Sequence, residues 1–492
     1  MNELELKFQV PAQALKSLQA ELARHGARTE RMVARYFDTA DGALAQSGLS
    51  LRLRREGRRW VQTLKAEGAS VVHRLEHNVP LRVAAGSRPE LDLARHDGDE
   101  AGAALRRALA DADAGSVVER YGSDVSRRFC DLQTPTGVVE AALDLGAIKA
   151  GDHEAAVCEL ELEHKAGDTD ALFAVAEAWS RHGSLWLNTL SKSARGARLA
   201  EGREHGPAKK ADTPKLEGQM SGDELLRAVM RSALDQILVN ASEVAAGSVD
   251  ADHVHQLRVG MRRLRTALRE LGCLAGGADP AWEDGLSRTF ALLGQVRDNE
   301  TVAQAVRPLL EQVDAPKLQW DAPASKVEAG ATVRDAAFQA TLIDLLGFAM
   351  RAQGDGEPKT SHAQAMEYIS ERLSKLHKRI ARAGKRFKKL PPEDQHKVRK
   401  RLKRLRYLSE FVEPLWNEKA VGRYLKHLRP AQDALGHHND VAVAMNKFRE
   451  DAARDPAALF AAGYLQAHLQ TTARSAHAAL QEVGKARRFW KR

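Results

Sequence analysis

Residues 2–10, NELELKFQV, decide how the first two hundred residues fold, because charged and apolar side chains alternate along them. Glu3, Glu5 and Lys7 occupy every second position, and leucine or phenylalanine follows each of them. In a β-strand this pattern puts two carboxylates, roughly 7 Å apart, and one ammonium on a single face. Such a face needs no explanation if it is turned to water, but in an enclosed space it forms a site.

The composition is that of a globular protein with more than one domain. The chain has 492 residues, of which 43% are hydrophobic and 29% charged, and this length predicts roughly two to four domains. No apolar run approaches the ~18 residues of a membrane helix, and the charge at residue 3 argues against a signal peptide. The three cysteines are far apart, which is typical of a reducing compartment. We therefore expect a cytoplasmic protein without a membrane segment.

The positive charge is concentrated in one segment. The chain carries a net charge of +9, yet residues 376–407 alone hold 14 Lys/Arg and 2 Asp/Glu, a local +12 that leaves −3 for the rest. A solvated helix face usually mixes its signs, so the segment favours a polyanionic partner.

Up to about residue 200 the dominant period is 2, typical of strands. Apolar residues fill one face of the candidate strands and charged residues the other, as in CELELEHK at 158–165 and SLRLR at 50–54. A surface sheet would explain one such strand. Six or seven favour a closed barrel with an outward apolar face, covered by helices, and a charged lumen.

If these charges are confined in a barrel, they require ligands of opposite charge. Carboxylates held close together need a divalent cation, and oxygen ligands without cysteine or paired histidine favour Mg²⁺ or Mn²⁺. Confined lysines and arginines need a dense anion, for which phosphoryl groups are the natural fit. Both together are the machinery of phosphoryl transfer or hydrolysis.

Further motifs follow ELELK in order: Tyr36-Phe37-Asp38-Thr39, Leu51-Arg52-Leu53-Arg54, Gln62-Thr63-Leu64-Lys65, Arg74 with Glu76, Asp144, the Glu159/Glu161/Glu163 strand, and Ser191-Lys192 before Arg195-Gly196. The ordered set, which begins with an ExExK signature, resembles the CYTH domain of the triphosphate tunnel metalloenzyme family. The resemblance implies an eight-stranded antiparallel tunnel that binds a triphosphate.

The resemblance also implies roles for individual residues. Glu3 and Glu5, with Glu159 and Glu161 across the barrel, would bind the metal, assisted by Asp144 and Glu163. The phosphate ligands would be Lys7, Arg52, Arg54, Lys65, Arg74, Arg127 and Lys192, with Arg128 as an alternative to Arg127. The catalytic roles would fall to Glu5, Glu76 and Lys7, with a second metal ion, Glu76 or the Glu159 strand orienting the attacking water.

Beyond residues 201–222, which read as a linker, the period becomes helical and two segments repeat. HQLRVGMRRLRTALREL from His255 matches HKVRKRLKRLRYLSEFV from His396, which indicates duplication of a helical unit. On a helix, His255, Arg258, Arg262 and Arg265 form one stripe beside an apolar one, and the copy keeps both stripes.

These repeats resemble the conserved-histidine α-helical domain, CHAD. The resemblance implies two pseudo-repeated helical bundles whose basic faces bind polyphosphate. The ligands expected from the repeats and from the basic helix before the second copy are His255, Arg258, Arg262, Arg265, His377, Lys378, Arg382, Lys385, His396, Arg399, Lys403 and Arg406.

The predicted architecture is therefore an α+β barrel domain at 1–200, a linker at 201–222 and an all-α domain at 223–490. The predicted function is metal-dependent hydrolysis of inorganic triphosphate to pyrophosphate and phosphate, with polyphosphate bound by the helical domain. The alternatives are thiamine triphosphate or another organic triphosphate as substrate of a hydrolase or cyclase, and a polyphosphate-binding protein without catalysis. Nucleic acid is disfavoured as a partner, since the basic segment lacks interleaved aromatics.

Overall fold

A computed structural model describes residues 2–68, 70–84, 87–110, 116–276, 278–313, 315–316, 327–351, 360–453 and 455–491. The N-terminal part is a closed antiparallel β-barrel of eight strands with a short ninth strand attached. The strands are β1 Asn2–Gln9, β2 Arg28–Asp38, β3 Leu49–Glu56, β4 Arg59–Glu67, β5 His73–Leu81, β6 Val118–Gln133, β7 Gly137–Ala150, β8 His153–Gly167 and β9 Trp186–Leu187.

The first strand closes the barrel. The sheet order is β5-β4-β3-β2-β6-β7-β8-β1-β9, and β1 also pairs with β5. The predicted barrel is thereby confirmed, and seven of its strands coincide with predicted ones. The alternation did not predict β2, because its lumen face carries the apolar residues Met32, Ala34 and Tyr36.

Helices cover the outside of the barrel, as the apolar outer face predicted. The apolar side chains of β3 and β4 pack under α2 and α3, and each fully buried leucine there stabilises the fold by about 1.5–3 kcal/mol. The helices of this part are α1 Ala12–Arg24, α2 Ala43–Gln46, α3 Glu100–Ala108, α4 Asp170–Ser180 and α5 Lys192–Ala200.

One end of the lumen is covered by α5. Lumen-facing residues of four strands form an apolar cluster that packs against Ala197, Leu199 and Ala200 of this helix. Gly196 lets the helix approach closely, since a Cβ there would lie 2.2 Å from the Tyr121 ring. The Ser191 hydroxyl accepts a hydrogen bond from the Ala194 N–H and caps the helix. Lys192, the first residue of α5, is thereby directed into the lumen.

The remainder of the chain is all-helical, as predicted. Its helices are α6 Gly222–Ala245, α7 Ala251–Leu271, α8 Ala281–Glu311, α9 Ala329–Arg334, α10 Ala336–Met350, α11 His362–Gly384, α12 Pro392–Phe411, α13 Glu418–Asp451 and α14 Pro456–Lys485. Both repeated segments lie on helices, α7 and α12. Among the described residues, none of the helices is long and apolar enough to cross a bilayer.

The described chain forms two compact units, whose boundaries differ from those of the predicted domains. The first comprises Met1–Lys210, Leu234–Leu257 and Gly330–Ala352, and the second Ala211–Ala233, Arg258–Ala329 and Gln353–Arg492. Within the first unit, the Val71 N–H donates to Asp235 and the Leu187 N–H to Gln339. Helical residues from beyond the linker thus pack with the barrel. The boundaries 1–200, 201–222 and 223–490 stay a prediction.

The predicted linker is irregular but firmly held where it belongs to the first unit. Glu243 of α6 accepts from the His205 ring and the Gly206 N–H, and it also pairs with Arg198 of α5. Glu243 is buried, so these bonds are little screened by solvent. They tie the end of the barrel domain to α6.

Candidate functional site

The lumen of the barrel is a charged cavity of about 400 Å³. Alternate residues of β1 point into it, as do those of the strands around it, because the side chains of a strand alternate between its two faces. The cavity is lined by Glu3, Glu5, Lys7, Arg52, Arg54, Lys65, Arg74, Glu76, Arg127, Asp144, Glu161, Glu163 and Lys192, all predicted site residues. Glu159 lies beside them but is fully buried.

The first group of lumen charges surrounds Lys65 of β4. Its Nζ lies 2.6 Å from a carboxylate oxygen of Glu3 and 3.1 Å from one of Glu76. Burial raises the pKa of Glu3 to about 8. Burial acts the same way on Glu76, but Lys65 and Arg52 outweigh it and hold that pKa below its ordinary value. At neutral pH Glu3 therefore keeps a proton while Glu76 is ionised.

Glu5 lies between two cations. Lys7 Nζ is 3.7 Å from one oxygen of Glu5, and Arg74 Nε is 4.0 Å from the same oxygen. Although burial opposes ionisation, Lys7 and Lys65 lower the pKa of Glu5. Glu5 is thus an ionised carboxylate with cations on two sides.

The second group consists of Asp144, Glu159 and Glu161, each of which offers an oxygen within 4.8 Å of the others. Lys192 Nζ lies among them, 2.6 Å from Asp144 and 3.0 Å from Glu161, and it donates to Glu159 as well. Despite their burial, Lys192 and Arg127 lower the pKa values of Asp144 and Glu161. The ammonium occupies the place where a cation would balance three carboxylates.

Arg127 holds this group from the β6 side. Its guanidinium donates to both oxygens of Asp144, at 2.8 and 2.6 Å, and also to Glu161. Of the two neighbouring arginines, Arg127 lines the lumen and Arg128 does not; the role of Arg127 as a phosphate ligand stays a prediction. Two further cations lie at the edge of the group: Lys7 is 3.4 Å from Glu161, and Arg195 is 3.5 Å from Glu159.

The expected placement of the β8 glutamates across the barrel from β1 is wrong. The two strands are neighbours, because β1 closes the barrel between β8 and β5. In the register, Glu5 lies opposite Glu163 and Lys7 opposite Glu161, while Glu159 lies opposite Gln9. Glu3 and Glu159 are therefore at different heights of the lumen. The four proposed metal ligands fall into two groups rather than one clamp.

Residues that the sequence analysis did not assign also line the cavity. Lys165 continues the period of Glu159, Glu161 and Glu163, and its Nζ lies 2.8 Å from Glu163 and 3.7 Å from Glu140. The period-2 pattern could have revealed it. Tyr36 stacks on Tyr121 at 4.9 Å and lines the lumen. In the sequence, Tyr36 stands out only as part of the Tyr36-Phe37-Asp38-Thr39 motif.

A second set of predicted residues lies on α7 and α12. Arg265 pairs with Glu283 at 2.7 Å and Arg406 with Glu410 at 2.6 Å, so acidic partners already neutralise both. His396 shares a 2.9 Å hydrogen bond with Asn439. His255 is half-buried on α7.

The other members of the repeated stripes form a cluster of cations, named here the α7–α12 cluster: Arg258, Arg262, Arg399 and Lys403. Burial, followed by the nearby Arg399 and Arg262, lowers the pKa of Lys403 to about 7. Arg262 lies over the Phe290 ring at 5.5 Å. In the described part of the chain, the Nε atoms of Arg262 and Arg399 are buried without a hydrogen-bond partner. A cluster of this kind suits an anion.

His377 differs from the other predicted anion ligands. It is buried, its ring shares a 2.9 Å hydrogen bond with the Tyr424 hydroxyl, and burial lowers its pKa to about 4. The ring is neutral at pH 7 and brings no charge to an anion. Its neighbours Lys378 and Arg382 on α11, and Lys385 directly after this helix, are exposed.

Two family models match the chain. Residues 1–197 match the CYTH domain, and residues 228–449 match the CHAD domain, so the two predicted resemblances are confirmed.

Among curated proteins, the chain is 27% identical over 202 residues to an inorganic triphosphatase of Haemophilus influenzae; the match spans 40% of this chain and 54% of that protein. It is 25% identical over 477 residues, 92% of this chain and 88% of the relative, to an uncharacterized protein of Mycobacterium tuberculosis. Among solved structures, the CHAD domain of Ricinus communis has 27% identity and a TM-score of 0.44, over 58% of this chain and 98% of that one.

Proposed function

We propose, for a chain that joins a CYTH domain to a CHAD domain, that the barrel hydrolyses inorganic triphosphate to pyrophosphate and phosphate with Mg²⁺ or Mn²⁺. The observation that carries the proposal is the lumen, in which many carboxylates and cations, ion-paired with one another, are confined in one cavity. The similarity of the barrel region to an inorganic triphosphatase supports the same chemistry.

The proposed metal ligands are Asp144, Glu159 and Glu161. Their oxygens are close enough for one ion, and hard oxygen ligands are those that Mg²⁺ and Mn²⁺ prefer. Glu3 lies outside this group, with its carboxylate 2.6 Å from Lys65 Nζ. A bound divalent ion would supply charge neutralisation for the phosphates.

The protein's own residues would position the substrate. Arg52, Arg54, Arg74 and Arg127 present guanidinium groups that match phosphate oxygens, and they would stabilise the departing pyrophosphate. Glu76, whose basicity is lowered by Lys65 and Arg52, would orient the attacking water more than it would take its proton.

An inorganic substrate is favoured over an organic one by the lining of the cavity. Most lining residues are charged, and the aromatic ones are Tyr36 and Phe129, which leaves little surface on which a base or thiazole could stack. Thiamine triphosphate, ATP and a non-catalytic lumen remain as alternatives for the experiment.

The test is phosphate release from triphosphate, ATP, thiamine triphosphate and long-chain polyphosphate, with Mg²⁺, with Mn²⁺ and with EDTA. We expect triphosphate to be hydrolysed fastest and EDTA to abolish the reaction. Glu161→Gln should reduce the rate by roughly a hundredfold. The matched control is Glu177→Gln, whose carboxylate is 46% exposed on α4 and which should react like the wild type.

Each alternative has its own result in this panel. A higher rate with ATP or thiamine triphosphate would move the proposal to an organic substrate. A wild type as inactive as Glu161→Gln would refute catalysis and leave a binding protein.

We propose in addition that the helical region binds polyphosphate through the α7–α12 cluster. Burial opposes the charged forms of Arg399 and Lys403 and lowers their pKa values, while the nearby Asp440 acts in the other direction. A chain of phosphates would stabilise the same charges further. Titration with labelled polyphosphate should show weaker binding by Arg399→Gln/Lys403→Gln than by the wild type. Tighter binding of duplex DNA than of polyphosphate at equal salt would contradict the proposal.

A further inference from the structure

The C-terminal segment of the chain lies along α11. Gly384 favours this approach, because a Cβ there would lie only 3.0 Å from the Leu480 Cβ, and a Cβ on Gly484 would be in ordinary contact with the Ala381 Cβ at 3.5 Å. The ends of α11 and α14 are therefore in close contact, and the residues that follow α14 continue beside α11.

An aromatic anchor holds this segment in place. The Trp490 indole N–H donates to the Ser374 hydroxyl of α11 at 2.8 Å, and its ring meets the Tyr424 ring edge-on at 4.9 Å. Trp490 is 7% exposed. His377 adds the neutral hydrogen bond to Tyr424 on the α11 side. Residues 486–491 thus have a defined position rather than that of a frayed terminus.

The anchored segment and α11 enclose a basic groove of about 640 Å³. We call it the C-terminal groove; its walls carry the cations Lys378, Arg382, Lys385, Arg487, Arg488 and Lys491. None of the described residues that line it carries a carboxylate side chain. Among the described residues, none of these six forms an ion pair, whereas Lys485, which also lines the groove, pairs with Glu482 at 2.7 Å.

Like charges on two facing walls repel each other, and the repulsion would push an unanchored segment away. Here the tryptophan anchor holds the walls together. The charge of Arg488 contributes, after burial, to the lowered pKa of His377, which indicates how close the two walls are. An anion in the groove would remove the repulsion without any movement of the anchor.

We infer that the C-terminal groove is a second binding site for a chain of phosphates, distinct from the α7–α12 cluster. The inference rests on the proposed polyphosphate binding by the helical region. The groove is formed by α11 and residues 484–491, and it shares no lining residue with the cluster on α7 and α12. Two separate basic sites on one helical region would bind a long phosphate chain more tightly than either site alone.

A bare phosphate chain fits the groove better than a nucleic acid does. Single-stranded nucleic acids bind through aromatic platforms as well as charge. The rings that anchor the segment, Tyr424 and Trp490, are 1% and 7% exposed, and the half-buried Phe489 packs edge-on against both. Among the described lining residues, the one ring is that of His377. What the groove offers a ligand is lysine and arginine, which suit phosphate oxygens.

The test uses the full chain and labelled long-chain polyphosphate, with binding measured at several salt concentrations. One variant, Lys378→Gln/Arg382→Gln, alters the α11 wall, and a second, Arg487→Gln/Lys491→Gln, alters the opposite wall. All four side chains are exposed, so folding should not suffer. The matched control, Arg449→Gln/Arg474→Gln, removes two exposed cations that do not line the groove.

Each wall variant should bind roughly tenfold more weakly than the wild type, and its slope of log K against log salt should be smaller by about two. The control should match the wild type. If both wall variants bind polyphosphate as tightly as the wild type does, this inference is overturned and the proposed function stands. No wild-type binding at all would overturn both. Loss of DNA binding with unchanged polyphosphate binding would assign the groove to nucleic acid instead.

Discussion

Replacing Lys192 by methionine tests the lumen most directly. The substitution keeps the length of the side chain and removes its charge. In the wild type, Nζ lies 2.6 Å from Asp144 and 3.0 Å from Glu161 and donates to Glu159. Lys192 is 9% exposed, and Asp144 and Glu159 are fully buried. Solvent therefore cannot replace the lost ammonium.

The size of the effect follows from the charges left behind. Removal of one partner from a buried ion pair costs about 3–5 kcal/mol. Arg127 keeps both hydrogen bonds to Asp144, so we expect a loss near the lower end, about 3 kcal/mol. A divalent ion can take the place of the ammonium. At a hundred times its Kd, it would stabilise the folded state by about 2.7 kcal/mol.

The stability of the variant should therefore depend on metal much more than that of the wild type, in which Lys192 competes for the same oxygens. Hydrogen exchange of β7 and β8, measured in EDTA and in Mn²⁺, reports on the barrel without interference from the helical region. Faster exchange than in the wild type is expected in EDTA, and near-complete recovery is expected in Mn²⁺.

The control is Lys149→Met on β7. Lys149 pairs with Glu154 at 3.1 Å, but its side chain is 64% exposed, and such a pair contributes less than about 1 kcal/mol. Its exchange should match the wild type with and without metal. If Lys192→Met exchanges no faster than the wild type in EDTA, or gains no more from Mn²⁺, then the ammonium does not balance these carboxylates and the proposed metal site is refuted.

Three further predictions concern other parts of the chain. In a Gly196→Ala variant, the new Cβ would lie 2.2 Å from the Tyr121 ring. The variant should displace α5, lose about 1–3 kcal/mol in its free energy of unfolding and lose triphosphate hydrolysis. The control is Gly463→Ala, whose Cβ would have nothing within 4 Å and which should change neither the free energy of unfolding nor hydrolysis. His377 is neutral in the folded state, with a pKa of about 4, so the free energy of unfolding should fall by up to about 3 kcal/mol as the pH falls from 6.5 to 4. Urea unfolding of His377→Gln, which cannot take up that proton, should show a smaller fall over the same pH range. Equal falls in the variant and the wild type would contradict the assigned pKa. Lys403 has a pKa of about 7, so it loses its positive charge as the pH rises from 6 to 8, and polyphosphate binding should weaken over this range. A Lys403→Gln variant with the same pH dependence as the wild type would contradict this.

Local alternation in the sequence predicted most of the barrel. Glu3, Glu5 and Lys7 share a face in any extended conformation, and so do Glu159, Glu161 and Glu163. Seven strands were predicted in this way. The pattern failed on β2, where Met32 and Ala34 face the lumen because α5 covers that end of it. An apolar inner face could not be recognised without the helix that packs on it.

The helical half was predictable from its repeats, but the fate of each cation was not. The stripe of His255, Arg258, Arg262 and Arg265 follows from helical spacing alone. That Arg265 is neutralised by Glu283, while Arg262 stays in the cluster, depends on how α7 and α8 pack. The neutral state of His377 likewise follows from burial and the Tyr424 hydroxyl, neither of which is visible in the sequence.

By itself, the sequence determined the charged faces of the strands, the division into a barrel and a helical part, and the kinds of residue available to a metal and to phosphates. These are properties of neighbouring positions, and spacing along a strand or helix is enough to establish them. Only the tertiary structure decided which charges meet. Barrel closure put β1 beside β8, and the register set Lys7, not a glutamate, opposite Glu161. The packing of α5 placed Lys192 among Asp144, Glu159 and Glu161. Electrostatic attraction acts over a few ångströms, so the grouping of the site depended on contacts between residues far apart in the chain.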